Sequence, residues 1–135
     1  MELARVLLVD DDDASRLTLK VVLEAGGYGV SAASSAAEAV EKIDGQQYDL
    51  VLCDLHLEST GIGMDILAHA RSKCYKPATA LVTSEQHGDA DPTRPMLIKP
   101  EAVPELLGEV ADLISSRAAR IVEQGLKAAR LKSGA

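Results

Sequence analysis

Phenylalanine and tryptophan are absent from this 135-residue chain, and tyrosine occurs three times. With so few aromatic rings there is little on which bases could stack, which argues against a single-stranded nucleic-acid platform. The two cysteines, Cys53 and Cys74, stand apart, with no CxxC and no histidine at ligand spacing. That pattern gives neither a disulfide framework nor a zinc site. The three histidines, His56, His69 and His87, share no ligand spacing either. No apolar run approaches ~18 residues, the length that crosses a bilayer. No charged-then-apolar leader opens the chain. The expectation is a cytoplasmic protein without membrane contact.

Positive charge is scarce as well. The net charge is −7. Residues 117–135 carry Arg117, Arg120, Lys127, Arg130 and Lys132 against Glu123, a balance of +4, which leaves −11 on residues 1–116. An acidic body disfavours direct nucleic-acid binding. A chain that is 47% hydrophobic and of this length has enough apolar material for one globular core.

What is present is a set of short apolar runs that end in polar residues. Val6-Leu7-Leu8-Val9 runs into Asp10, Asp11, Asp12 and Asp13. Leu50-Val51-Leu52-Cys53 ends in Asp54, Ala78–Val82 in Thr83, and Met96-Leu97-Ile98 in Lys99. Runs of this length read as buried strands. Tyr28–Ala32 is a fifth strand. Between them lie helical stretches, from about Asp13 to Ala25 with Leu17, Val21 and Leu23–Glu24 near helical spacing, and from Ala36 to Asp44 with Ser34 or Ser35 as cap. Gly26-Gly27 stops the first of them. A third runs from about Met64 to Lys73, and a long one begins near Glu101. Gly88, Pro92 and Pro95 make the stretch between Thr83 and Lys99 poor helix material. Strands alternating with helices imply a parallel, doubly wound sheet, in which ligands sit beyond the carboxyl ends of the strands.

Those ends would collect Asp10, Asp11, Asp54, Thr83 and Lys99. Clustered carboxylates suit Mg²⁺, which takes oxygen ligands. A carboxylate is also a nucleophile able to form an aspartyl phosphate. Phosphoryl transfer needs positive charge and hydrogen bonds around the transferred group. Asp12 and Asp13 fit helix-cap chemistry.

The pattern VLLVDDD…LVLCD…ALVTS…LIKP resembles the receiver domain of two-component response regulators over about residues 4–116. The resemblance implies a flavodoxin-like five-stranded sheet of order 2-1-3-4-5. It makes Asp54 the phosphoacceptor and Asp10 and Asp11 the Mg²⁺-binding pair, with the backbone carbonyl of His56 as a further metal ligand. Thr83 becomes the switch hydroxyl and Lys99 the phosphate-binding lysine, joined to Pro100 by a cis peptide bond. The partner implied is a sensor histidine kinase or a phosphotransfer protein. On this reading the chain is no enzyme beyond its own phosphorylation and dephosphorylation, and it signals by altered protein–protein binding.

The chain departs from the family at Met96, where an aromatic residue is usual. It departs again after Thr83, where the fourth helix is expected to be short or missing. Two alternatives stay open. One is a haloacid-dehalogenase-type phosphatase using Asp10 and Asp12; the other is a receiver-shaped module that never cycles phosphate. Residues 1–116 are expected to form the receiver domain and 117–135 a helical extension. Val103, Leu107, Val110, Ile114, Ala118, Ile121, Gly125 and Ala128 fall at spacings of three or four, an apolar stripe. Its projecting part is expected to support a weak homodimer.

Overall fold

The structure, a computed structural model, describes residues 3–55, 57–58, 61–83, 97–98 and 103–133. Five parallel strands form one sheet in the order β2-β1-β3-β4-β5. They are β1 (Arg5–Val9), β2 (Gly29–Ala33), β3 (Leu50–Asp54), β4 (Ala78–Val82) and β5 (Leu97–Ile98). The helices are α1 (Asp13–Ala25), α2 (Ala36–Gly45), α3 (Ile62–Arg71) and α4 (Val103–Ser133). The flavodoxin-like expectation holds. The expectations for the segment between Thr83 and β5, for Met96 and for the Lys99–Pro100 bond lie outside the described residues.

The apolar runs are continuous because helices cover both faces of the sheet. Val6, Leu8, Leu50, Leu52, Ala78, Ala80 and Val82 pack with Leu19 and Leu23 of α1 and Leu106 and Val110 of α4. Leu7, Val9, Val51, Cys53 and Leu81 point the other way, onto Ala39 and Ile43 of α2 and Ile66, Leu67 and Ala70 of α3.

The structure sets the inner face of α1 and corrects that of α4. Leu17 and Val21 of α1 are 64% and 57% exposed, while Leu19 and Leu23 are buried. Both pairs have i,i+4 spacing, so periodicity alone does not choose between them. Arg16, one turn before Leu19, donates from Nη1 to the Asp10 carbonyl at 2.9 Å, on the same side as the Leu19–Leu23 pair that packs on the sheet. In α4, Val103 is exposed and Leu106 takes its place, followed inward by Val110.

Caps set the helix ends. The Asp12 carboxylate accepts the Ser15 amide at 2.8 Å and starts α1. Gly27, at φ 99°, ends it, with the Tyr28 amide donating to Leu23 O and the Gly27 amide to Glu24 O. Ser35 caps α2 by accepting the Glu38 amide, and Glu38 in turn accepts from the Ser34 amide and hydroxyl. Those two bonds hold the Glu38 carboxyl below the usual carboxylate range.

The inner stripe of α4 finishes at Arg117. Its guanidinium donates to Asp49 Oδ1 at 2.9 Å, to Tyr75 O at 2.7 Å and to Lys76 O at 2.9 Å. Asp49 also accepts the Arg5 amide at 2.8 Å. One ion pair thus ties α4 to the amino ends of β1, β3 and β4. Beyond it, all side chains from Ala118 to Arg130 are exposed. None of the described helices is long and apolar enough to cross a membrane.

Two expectations can be checked directly. Arg117→Met keeps the side chain's length and removes all three bonds, and should cost about 1.5–3 kcal/mol. Urea unfolding followed by circular dichroism reads it, and an unchanged midpoint would show that the clamp contributes nothing. The second concerns the thiols. Burial first, and then the charges of Asp54 and Asp10, push Cys53 up to about 12. Cys74 is exposed. A raised thiol pKa means less thiolate at any working pH, so a maleimide at pH 8 should label Cys74 and spare Cys53 until the protein unfolds. Equal labelling of both in the folded state would contradict the buried placement.

Candidate functional site

The carboxyl ends of β1 and β3 are neighbours because these strands pair at the centre of the sheet. Asp10 extends β1 by one bond, its amide donating to Ala33 O at 3.0 Å. It is 3% exposed. Its Oδ1 accepts the Asp12 amide at 2.9 Å, and its carbonyl takes the Arg16 guanidinium. Asp10 is therefore fixed on both side chain and main chain before any ligand arrives.

Asp11 is exposed. Its Oδ2 accepts the Glu58 amide at 3.1 Å, across the gap between the loops that follow β1 and β3. Asp54, the last residue of β3, is half-buried and pairs in register with Val82. The Leu55 amide donates to Val82 O at 2.9 Å and the Leu57 amide to Asp54 O at 3.2 Å, which holds the chain in a turn just past Asp54. Each of Asp10, Asp11 and Asp54 offers a carboxylate oxygen, and these atoms lie within 4.8 Å of one another.

Thr83 follows β4 directly and is 1% exposed. β4 lies beside β3, so Thr83 borders Asp54 on the next strand over. β5 pairs with β4 at Leu81–Leu97 and Val82–Ile98. Lys99 and His56 themselves lie outside the described residues. Among the sequence-predicted site residues, the structure thus brings together Asp10, Asp11 and Asp54, with Thr83 at the adjacent strand end.

The donor set fits a hard divalent cation. Three carboxylates of different burial supply oxygen only, and their mutual repulsion calls for positive charge at the centre. Arg16 does not supply it at the carboxylates. Its Nη1 is on the Asp10 carbonyl and its Nη2 is paired with Asp13 at 2.5 Å.

Three supporting residues escaped the sequence. Arg16 braces Asp10 through the main chain and carries no motif. Glu58 sits at φ 54°, an uncommon conformation for a residue with a side chain. Its amide holds Asp11, and its carboxylate accepts the Ala36 amide at the start of α2 at 3.0 Å. Nothing near Glu58 in sequence signals either contact. Gly63 was visible only as a loop glycine. A Cβ there would sit 3.0 Å from Asp54 O and 3.3 Å from Cys53 Sγ, tighter than ordinary contact, so the glycine lets α3 lie close against β3.

The sequence profile of the response regulator receiver domain matches residues 6–106. The chain is 39% identical over 80 residues to the alginate biosynthesis transcriptional regulatory protein AlgB of Pseudomonas putida, covering 59% of this chain and 18% of AlgB. It is 31% identical over 122 residues to the sensory/regulatory protein RpfC of Xanthomonas campestris pv. campestris, covering 83% of this chain and 17% of RpfC. It thus spans less than a fifth of the length of these curated relatives. A CheY-like receiver domain protein from Methanospirillum hungatei superimposes with a TM-score of 0.73 at 26% identity, covering 88% of this chain and 99% of that one. The response regulator TrrA of Thermotoga maritima, in complex with Mg²⁺-BeF, superimposes with a TM-score of 0.69 at 27% identity, over 84% of this chain and 99% of that one. With the strand order, the three clustered carboxylates and the buried threonine beside them, these likenesses establish that the chain belongs to the response regulator receiver domain family.

Proposed function

We propose that this domain takes a phosphoryl group onto Asp54 in a Mg²⁺-dependent reaction and signals through altered protein–protein binding. The observation that carries the proposal is the carboxylate trio at the ends of β1 and β3, within 4.8 Å, with buried Thr83 on the neighbouring strand. An Asp54 carboxylate oxygen forms the new bond to phosphorus. The bond from phosphorus to the donor's leaving atom breaks, and the leaving group departs on the far side. Asp10, Asp11 and Asp54, with the backbone carbonyl of His56, would hold Mg²⁺. When bound, the ion supplies positive charge against the phosphoryl oxygens. Thr83 is suited to donate its hydroxyl to one such oxygen, and Lys99 to add a second positive charge.

A histidine kinase or phosphotransfer protein is the proposed donor, and the cytoplasm the proposed place. The 35% identity over 54 residues to a probable histidine kinase of Oryza sativa subsp. indica supports the kinase as donor. In this reading the chain catalyses only its own phosphorylation and dephosphorylation. The phosphatase alternative needs Asp12 as its second acid, whereas the Asp12 carboxylate caps α1. We also propose residues 1–116 as the receiver domain and 117–135 as its helical extension. Val122 and Leu126 are exposed on that extension, which supports a weak homodimer through it.

Two variants test the site. Asp54→Asn should abolish the single-phosphate mass increase seen after acetyl phosphate and Mg²⁺, with the circular dichroism spectrum unchanged; full labelling of this variant would remove Asp54 from the role. Asp11→Asn keeps an acceptor for the Glu58 amide and deletes one of the crowded charges. It should melt higher than wild type without Mg²⁺ and gain little from added Mg²⁺. Wild type should gain about 2.7 kcal/mol at a hundredfold excess over Kd. An equal Mg²⁺-dependent rise in both proteins would count against Asp11 as a ligand.

A further inference from the structure

The opposite end of the sheet carries the opposite charge. A groove of about 310 Å³ opens there, between the turn that follows α3 and the part of α4 that leaves the body. Its cations are Arg71, Lys76, Arg117 and Arg120, and no carboxylate lines it. Arg117 is neutralised by Asp49. Arg71 donates to the hydroxyl of Thr79, and Lys76 reaches only a main-chain carbonyl at 3.4 Å. Among the described ion pairs, none involves Arg71, Lys76 or Arg120. Among the described residues, three positive charges thus share one groove without a counter-charge. Its apolar surface is Pro77 and Ile121.

The charge also continues along α4. Arg117, Arg120, Gln124 and Lys127 follow at spacings of three and four, so they share one face of the helix. That face runs about 15 Å from Arg117 to Lys127 at 1.5 Å per residue. Ala118, Val122, Gly125 and Ala129 occupy the opposite face, which leaves the basic face available whatever covers the apolar one.

We propose that this groove and basic face dock an extended acidic segment of a partner protein. Its carboxylates would lie on Arg71, Lys76 and Arg120 and an apolar side chain against Pro77 and Ile121. Guanidinium forks receive carboxylates in bidentate pairs, and clustered charge of one sign steers an oppositely charged partner. An extended strand of about five residues matches the 15 Å face. Nucleic acid fits less well: no aromatic side chain lines the groove, and residues 1–116 carry −11. The site lies at the amino ends of β3 and β4, away from the carboxylate trio, and does not rest on phosphorylation.

The test uses the full chain and a fluorescein-labelled peptide of about ten residues, mostly Glu and Asp with one central Leu, read by anisotropy. Saturable binding at about 50 mM salt is expected, weakening steeply toward about 300 mM. Lys76→Asn with Arg120→Gln should weaken it at least tenfold. Lys20→Gln with Lys42→Gln removes the same charge elsewhere and should change it less than twofold. Equal weakening by both pairs would reduce the effect to net charge and overturn the proposal. So would an absence of saturable binding. Tighter, groove-dependent binding of tripolyphosphate or of a short single-stranded DNA would replace the peptide as occupant. Salt-sensitive self-association lost in Lys76→Asn/Arg120→Gln would do the same in favour of a second copy.

Discussion

Burial of β1 and β3 on both faces is the constraint from which the rest follows. Val6 to Val9 and Leu50 to Cys53 are nearly inaccessible, with helices above and below. Inside such strands no charged side chain can be placed without a large desolvation cost. Polar chemistry is therefore driven to the strand ends. Because β1 and β3 are parallel neighbours of equal length, their carboxyl ends meet, and Asp10, Asp11 and Asp54 converge there. The crowding is a product of packing two apolar strands side by side.

The site is braced from outside the motif. Asp10 is held by the Asp12 amide and by Arg16, and Asp11 by the Glu58 amide. Glu58 is anchored in turn to the start of α2. The loops after β1 and β3 are thereby linked to two helix starts. Hydrogen bonds thus connect the carboxylate cluster to α1, through Asp10 and Arg16, and to α2, through Asp11 and Glu58.

The two ends of the sheet are electrostatically distinct. Carboxylates gather at the carboxyl ends, and arginine and lysine gather at the amino ends around Asp49. Arg117 links the second end to α4 through a pair that is 14% exposed on the arginine side. Past that clamp α4 has no body to cover it, and its exposed apolar and basic faces point to different kinds of contact.

The sequence by itself determined the strand–helix alternation, the parallel sheet and the strand ends that carry the carboxylates. Each is written in a local pattern: a short apolar run closed by a polar residue, a serine or aspartate cap, a glycine pair after a helix. The carboxylate positions were legible because strand direction and order convert spacing along the chain into proximity. Only the tertiary structure decided which face of α1 turns inward, because Leu17/Val21 and Leu19/Leu23 have the same spacing and only Leu19/Leu23 pack on the sheet. It alone placed Glu58 between Asp11 and α2, and Arg117 on Asp49, contacts spanning 47, 22 and 68 positions. Side chains so far apart along the chain leave no periodic signature, and their pairing exists only once the sheet has brought its own ends together.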